Sequence, residues 1–249
     1  MNKILFCKVK KSILYKKPGI NSERLKEMLY GEIFVKLREY SNFYYGFTQY
    51  DKYYGYIKKA SLKVNQKKSN CLINSGKAYL YKDNNLRSKT KKFLYFNSKV
   101  YISCIKEKLS QSNIGWIKNT DLKFIKTIKK KNIIENVKIF KKTKYLWGGN
   151  TNDGIDCSGL VQELMKNKLF KCPRDSQKQE NFFKKSITRK KIKKGDLLFW
   201  KGHVAIALNK SECIHAYGPL KKVVKTKINR LIYKLANKSL VLSSIKRPL

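Results

Sequence analysis

The chain has 249 residues, of which 42% are hydrophobic and 30% are charged. This balance is typical of folded domains and excludes a wholly disordered chain. The formal net charge of +42 favours contact with an anionic polymer, but the basic residues are spread along the whole chain and fit a generally lysine-rich composition equally well. No stretch approaches the roughly 18 apolar residues of a membrane span, so no membrane span is expected.

The first residues do not have the pattern of a secretory signal. Residues 4–7 are apolar, but they lie between Lys3 and Lys8 and form a run far shorter than the roughly 7–15 residues of a signal-peptide core. We therefore expect a cytoplasmic protein, or a periplasmic or cell-envelope protein if a leader is missing. The six cysteines include no C-x-x-C pair, so we expect mostly free thiols, no metal site and no cofactor.

Two segments of the N-terminal half resemble each other. Each opens with a short apolar run that ends in Tyr-Lys and closes about 40 residues later with Gly-aromatic-Ile-Lys, at residues 12–16 and 55–62 in one copy and 78–82 and 115–122 in the other. Runs rich in branched and aromatic residues lie inside each copy and predict short strands, at 33–37, 43–47 and 100–102. We therefore predict two small β-barrels, residues 1–65 and 66–128.

A run of lysines at 129–131 marks the predicted start of a third domain, residues 129–249. Ile133, Val137 and Phe140 follow at helical spacing and predict a short amphipathic helix. A glycine-rich loop then leads to Cys157, where a second helix is expected to begin with Asp156 or Ser158 as its N-cap.

A cysteine at the start of a helix lies at the positive end of the helix dipole, which favours the thiolate and lowers the pKa of the thiol. The first-turn N–H groups have no partners within the helix, so they can donate to an oxyanion that forms on a substrate carbonyl. Glycines in the preceding loop let the backbone pass close to a substrate. Cys157 is therefore a candidate nucleophile.

The chain contains only two histidines, and both lie in predicted strands. His203 opens the apolar run 203–208 and His215 lies in the run 212–217, so the two runs predict a hairpin that holds both imidazoles near one edge of a sheet. In this arrangement His203 would act as the base for Cys157 and His215 would orient His203, as in a catalytic triad.

Five motifs, in this order, resemble the NlpC-type papain-like cysteine peptidases, which hydrolyse cell-wall peptides. They are Tyr-x-Trp-Gly-Gly from Tyr145, Asp-Cys-Ser-Gly-Leu-Val from Asp156, Pro-Arg-Asp-Ser from Pro173, Gly-Asp-Leu-Leu-Phe-Trp from Gly195 and His-Val-Ala-Ile from His203. The two N-terminal copies are similar to bacterial SH3-like domains. The resemblance implies an α+β chain: two SH3-like barrels, then a papain-like domain whose cysteine-bearing helix packs on an antiparallel sheet.

The resemblance also implies an activity and a site. The catalytic residues would be Cys157, His203 and His215, and the enzyme would cut peptidoglycan stem peptides between D-γ-glutamate and the diamino acid, in cell-wall turnover or recycling. Relatives of this architecture favour a free L-Ala amino group, which Asp156 would meet by charge. An acidic and an aromatic residue of the first SH3-like domain, such as Glu32 and Tyr54, would close the site. The implied substrate-binding residues are Tyr145, Asp156, Ser158, Arg174 and Ser176.

Three alternatives remain open from the sequence. The chain could be a non-catalytic binding module for anionic cell-wall polymer or nucleic acid, in which case Cys157 would be dispensable. The same Cys-His pair could perform acyl transfer or amide cleavage on another substrate. The two histidines could instead be structural, or could hold zinc with Cys157 and Cys213, although their spacing does not follow common zinc patterns.

Overall fold

The computed structural model describes residues 3–248. These residues form two compact units, with the boundary between Lys129 and Lys130. The first unit consists of strands joined by short turns. Its strands are Lys3–Cys7 (β1), Lys11–Tyr15 (β2), Arg24–Leu29 (β3), Ile33–Tyr40 (β4), Phe43–Thr48 (β5), Tyr53–Lys58 (β6), Leu62–Lys63 (β7), Cys71–Ile73 (β8), Lys77–Tyr81 (β9), Lys89–Tyr95 (β10), Lys99–Val100 (β11), Ile102–Ile105 (β12), Leu109–Ser112 (β13), Gly115–Lys118 (β14) and Leu122–Phe124 (β15).

The strands of the first unit reproduce the repeat seen in the sequence. Each copy ends in a strand, a 3₁₀ turn and a second strand: β6, Lys59–Ser61 and β7 in the first, and β14, Asn119–Asp121 and β15 in the second. The sheets are antiparallel, with the orders β3-β2-β6-β5-β4-β1-β7, β10-β9-β14-β13-β12 and β11-β8-β15. Within residues 3–248 none of these sheets closes on itself through hydrogen bonds, so the predicted closed barrels are not observed.

The two copies have separate buried clusters but are joined by Tyr30. One cluster includes Leu14, Phe34 and Ile57 of the first copy. Tyr30 belongs instead to the cluster of the second copy, and its hydroxyl accepts a 2.9 Å hydrogen bond from Asn113 Nδ2. This shared side chain explains why the two copies form one compact unit.

The second unit combines a five-stranded and a two-stranded antiparallel sheet with three helices. Its elements are Asn150–Thr151 (β16), Gly154–Ile155 (β17), Cys157–Asn167 (α1), Ser176–Phe182 (α2), Leu197–Trp200 (β18), His203–Ala207 (β19), Glu212–Tyr217 (β20), Lys222–Lys227 (β21), Ile228–Ala236 (α3) and Leu242–Lys246 (β22). The main sheet has the order β21-β20-β19-β18-β22, and α1 packs against β19 and β20. The chain is thus α+β, with mostly antiparallel strands.

One predicted element of the second unit is wrong. Residues 137–140 form a 3₁₀ turn rather than part of an α-helix, and the turns around residues 133–136 do not extend it. The apolar side chains Ile133, Ile134 and Phe140 are still buried, so the hydrophobic spacing reflects burial of a compact loop. No helix within residues 3–248 has the length and apolar character needed to cross a membrane.

Candidate active site

Cys157 is the first residue of α1, directly after its N-cap. The carboxylate of Asp156 accepts a 2.7 Å hydrogen bond from the N–H of Gly159, which is the capping contact that the sequence predicts. The backbone N–H groups of Val204 and Ser158 act to lower the pKa of the Cys157 thiol, and α1 packs against β19. Because Val204 follows His203 in β19, the thiol lies against the strand that carries the candidate base.

A buried ion pair holds the loop before the helix in place. The guanidinium of Arg174 binds both carboxylate oxygens of Asp156, with N–O distances of 2.8 and 2.5 Å. The second carboxylate oxygen also accepts from the N–H of Gly148 at 2.8 Å, while the hydroxyl of Ser158 receives a hydrogen bond from Arg174 at 2.9 Å. Asp156 therefore has its oxygens engaged inside the protein, and Arg174 joins the loop of Pro-Arg-Asp-Ser to the start of α1.

Other buried polar side chains behind α1 were not identified from the sequence. Asn150 Nδ2 donates to Glu163 at 3.0 Å, and Glu163 in turn accepts from Lys166 at 2.6 Å. Gln179 of α2 donates to the carbonyl oxygen of Ser158 at 2.9 Å. Every residue of α1 is buried, so the polar residues of this helix require partners inside the protein, and this burial has no signal in the local sequence.

The two histidines are adjacent and hydrogen-bonded. His203 Nε2 lies 2.8 Å from His215 Nδ1, and His215 Nε2 lies 3.3 Å from Thr226 Oγ1. The rings of Trp200 and Tyr217 each lie 5.8 Å from the ring of His203. In the tautomer of His203 that carries its proton on Nε2, this N–H donates a hydrogen bond to His215 Nδ1. The Nδ1 atom of His203 then has a free lone pair and can accept a proton.

Burial keeps the thiol and both imidazoles neutral. It raises the pKa of Cys157 to about 12, and the nearby Asp156 charge acts in the same direction. Burial also lowers the pKa of His203 to about 4 and that of His215 to about 3, where the neighbouring Lys234 charge contributes. The expected lowering of the thiol pKa at the helix start is therefore outweighed by loss of solvent, and the thiol and both imidazoles are neutral at rest.

The remaining predicted contact residues differ in exposure. Tyr145 is half-buried, and burial raises its pKa to about 12, with the charge of Asp156 acting in the same direction. Ser176 is partly exposed as the first residue of α2. Arg174 is buried. Trp147, in the same loop as Tyr145, has an exposed fraction of 59% and leaves an apolar surface at this loop.

The two residues suggested from the first unit have different environments. Glu32 is buried, and its carboxylate accepts a 2.9 Å hydrogen bond from the N–H of Leu29, which stabilises the turn after β3. Tyr54 is half exposed on β6, where its ring packs against Phe47 at 5.1 Å. Their suggested role in closing a site remains a prediction.

The described part of the chain contains no set of ligands for the zinc site considered above. Among residues 3–248, no group of three or more His, Cys, Asp or Glu side chains is arranged to hold a metal ion. Cys213, the fourth ligand in that alternative, is buried, and its thiol lies 3.5 Å from the carbonyl oxygen of Thr226.

Comparison with known proteins agrees with this geometry. Residues 142–239 match the family model described as the NlpC/P60 family. The chain is 38% identical over 87 residues to a protein named dipeptidyl-peptidase 6 from Lysinibacillus sphaericus, covering 35% of this chain and 32% of that protein. It is 29% identical over 116 residues to a γ-D-glutamyl-L-lysine dipeptidyl-peptidase from Bacillus cereus, covering 41% and 34%. The matched regions thus span about a third of the length of these curated relatives.

A crystal structure of an NlpC/P60 family protein from Bacillus cereus superposes with a TM-score of 0.83 at 18% identity, covering 99% of this chain and 100% of that one. At this identity the likeness establishes the fold. The family match shows that residues 142–239, within the second unit, form an NlpC/P60 domain.

Proposed function

We propose that this chain is a cysteine peptidase with Cys157 as nucleophile, His203 as general base and His215 as the residue that orients His203. The observation that carries the proposal is the packing of α1 against β19. Helix α1, which begins at Cys157, packs against β19 and β20, and on these strands His203 Nε2 lies 2.8 Å from His215 Nδ1. This is the order of nucleophile, base and orienting residue that acyl transfer requires.

Because Cys157 and His203 are both neutral at rest, the first step of the proposed reaction includes a proton transfer between them. As sulfur attacks the substrate carbonyl, the thiol proton passes to His203 Nδ1, and the imidazolium is stabilised by its hydrogen bond to His215. The first-turn N–H groups at Cys157 and Ser158 are positioned to donate to the oxyanion. The imidazolium then protonates the leaving amine, and water hydrolyses the thioester with His203 acting again as base.

We propose that the substrate is a peptidoglycan stem peptide, cut between D-γ-glutamate and the diamino acid. The names of the relatives, which include a γ-D-glutamyl-L-lysine dipeptidyl-peptidase, support this choice. Tyr145 and Ser176 are the predicted contact residues with surface left for a ligand. Asp156, Ser158 and Arg174 are buried and bonded to one another, so we infer that they act on the substrate chiefly by positioning the loop and the nucleophile.

We also propose that residues 1–65 and 66–128 are two SH3-like domains. Support comes from the repeated strand, 3₁₀ turn and strand at the end of each copy, and from the separate buried cluster in each copy. An anionic cell-wall polymer is the proposed partner of their basic surface, since the net charge of +42 attracts polyanions.

The proposed activity is tested by incubating the protein with L-Ala-γ-D-Glu-diaminopimelate peptides and analysing the products by mass spectrometry. Wild type should release L-Ala-γ-D-Glu, and Cys157→Ala should release none. Cys104→Ala is a matched control because Cys104 is a partly exposed thiol on β12, and it should cleave like wild type. An N-acetylated peptide tests the need for a free L-Ala amino group.

A folded wild type that leaves these peptides intact would contradict the proposed substrate. Equal activity of Cys157→Ala and wild type would contradict the proposed mechanism. Retained, salt-sensitive polymer binding by an inactive wild type would instead favour the non-catalytic binding module.

A further inference from the structure

A cavity of about 530 Å³ lies in the second unit between β21 and α3, on the far side of His215 from His203. Its volume falls within the roughly 300–1,000 Å³ of small-molecule sites. The floor contains His215 and Tyr217 of β20 and Thr226 of β21, and the wall contains three basic side chains, Lys227, Arg230 and Lys234. The proposed active site does not use these basic residues.

The basic wall is not neutralised by the protein. Glu212 is the carboxylate among the described lining residues, and it pairs with Lys225 at 2.8 Å. This hydrogen bond with Lys225 lowers the pKa of Glu212, and the charge of Lys227 acts in the same direction. Within residues 3–248, Lys227, Arg230 and Lys234 form no ion pair. The cavity therefore has an excess positive charge that a bound anion would balance.

Two further donors point to an anion with several oxygens. Tyr217 has an exposed fraction of only 5%, and its hydroxyl has no hydrogen-bond partner within the protein. The helix α3 begins at the cavity with Lys227 as its N-cap, without a side-chain cap and without an acidic residue in its first turn. The N–H of Ile228 donates to the carbonyl oxygen of Ser211 at 2.8 Å, and the first-turn N–H groups that follow it have no side-chain cap and can attract an anion.

We propose that this cavity binds a phosphate dianion, either free or as the monoester of a small molecule. Three cations, a tyrosine hydroxyl and the start of a helix suit a compact group with two charges and several acceptor oxygens better than they suit a single carboxylate. This part of the proposal is independent of peptidase activity.

A second part rests on the proposed function. The titratable groups that face His215 are His203 on β19, Tyr217 on its own strand and Lys234 on α3, while β21 contributes the neutral Thr226. Lys234 disfavours a proton on His215, and a dianion beside Lys234 would cancel that effect. Occupancy would therefore make it easier for the histidine pair to take the proton of Cys157 and would increase the reactivity of the thiol.

Binding is tested by isothermal titration calorimetry of the full chain with inorganic phosphate, glycerol 3-phosphate as a monoester and dimethyl phosphate as a diester. Wild type should bind the first two at one site and the diester at least about tenfold more weakly. The triple variant Lys227→Gln/Arg230→Gln/Lys234→Gln should lose at least about tenfold in affinity for phosphate. The matched control Lys91→Gln/Lys92→Gln/Lys106→Gln removes the same charge from exposed positions of the first unit and should bind like wild type.

An unchanged affinity in the cavity variant would overturn the site, and so would an equal loss in the control variant, since that would indicate diffuse attraction to a basic protein. Tighter binding of the diester than of the monoester would overturn the assignment to a dianion. Arg230→Gln alone should weaken phosphate binding in the same direction, and it tests the site if the triple variant is unstable.

The effect on the thiol is measured by the rate at which iodoacetamide alkylates Cys157, followed by mass spectrometry of the Cys157 peptide. At neutral pH, saturating phosphate should raise this rate several-fold in wild type and leave it unchanged in the cavity variant. An unchanged rate in wild type with phosphate bound would overturn the coupling to the histidine pair. Neither measurement requires peptide cleavage, so failure of the proposed function would be seen separately.

Discussion

The carboxylate of Asp156 is held by several groups of the protein at once. Its side chain caps α1, fixes the loop through Gly148 and pairs with Arg174, and all these contacts are buried. A charge in this position is tolerated because its partner and its hydrogen bonds are complete. Loss of the partner would leave an unpaired carboxylate beside the nucleophile.

Replacing Arg174 with Met should therefore destabilise the protein by about 3–5 kcal/mol, because the carboxylate of Asp156 would remain buried without its counter-charge. The free energy of unfolding in urea measures this. Arg87→Met, at an exposed position in the first unit, is the matched control and should change stability by less than about 0.5 kcal/mol. Equal unfolding midpoints for Arg174→Met and wild type would show that the pair contributes little.

The buried histidines predict a loss of stability in mild acid. The pKa of His203 is lowered from 6.5 to about 4, and that of His215 to about 3, so the unfolded chain binds protons that the folded chain excludes. The free energy of unfolding should consequently rise with pH from about pH 4 to 6.5 and gain nothing more from these residues at higher pH.

Urea unfolding across this pH range measures the slope. The double variant His203→Gln/His215→Gln serves as the comparison, because it retains the carboxylates that also titrate in acid but lacks both imidazoles. Its slope should be smaller than that of wild type, whereas identical slopes would mean that the two rings are protonated as easily in the folded protein as in the unfolded chain.

At the scale of elements, glycines pack the loop before α1 against itself and against the helix. The close approach of this loop to a substrate stays a prediction. A Cβ on Gly159 would lie 2.5 Å from the carbonyl oxygen of Gly149, and a Cβ on Gly149 would lie 2.4 Å from that of Gly154. The absence of these side chains sets how closely α1 approaches the loop.

Gly159→Ala should therefore push α1 away from the loop, reduce stability by about 1–3 kcal/mol and slow the reaction of Cys157 with iodoacetamide. Gly19→Ala is the control, since a Cβ there meets nothing within 4 Å. Thermal melting and the alkylation rate are the two measurements. A Gly159→Ala protein as stable and reactive as wild type would show that the loop can move to admit the methyl group without loss of stability.

The elements that the sequence predicted well are those with strong local signals. The cap at Asp156, the start of α1 at Cys157 and the hairpin of β19 and β20 follow from capping chemistry and from apolar runs beside polar turns. The turn at residues 137–140 was misjudged because its apolar spacing suits a helix as well as a buried loop. Distant partners, such as Arg174 for Asp156, depend on the tertiary fold and have no signal in local spacing.

At the scale of the whole molecule, the chain consists of two units with their own buried clusters. The cluster of the second unit involves β18, β19, β20, α3 and β22, and it includes Trp200, Leu231 and Ile245. The sequence predicted a boundary near residue 129 from the run of lysines, but it gave no sign that Tyr30 would join the two copies of the first unit.

A fragment of residues 130–249 should fold cooperatively, because the buried cluster of the second unit is drawn from that unit. A fragment of residues 130–240, which lacks β22, should not, because Ile245 leaves the core and the edge of β18 is exposed. Near-UV circular dichroism and a melting transition distinguish the two. Cooperative melting of the shorter fragment would show that β22 is dispensable for the fold.

The pairing of β22 with β18 has a consequence for how the protein is made. Leu197–Trp200 leaves the ribosome well before Leu242–Lys246, so during translation the strand beside His203 has one side without a partner. We therefore expect β19, which carries His203, to reach its final packing only after residue 246 has left the ribosome. The proposed peptidase activity should accordingly appear only once β22 has been made.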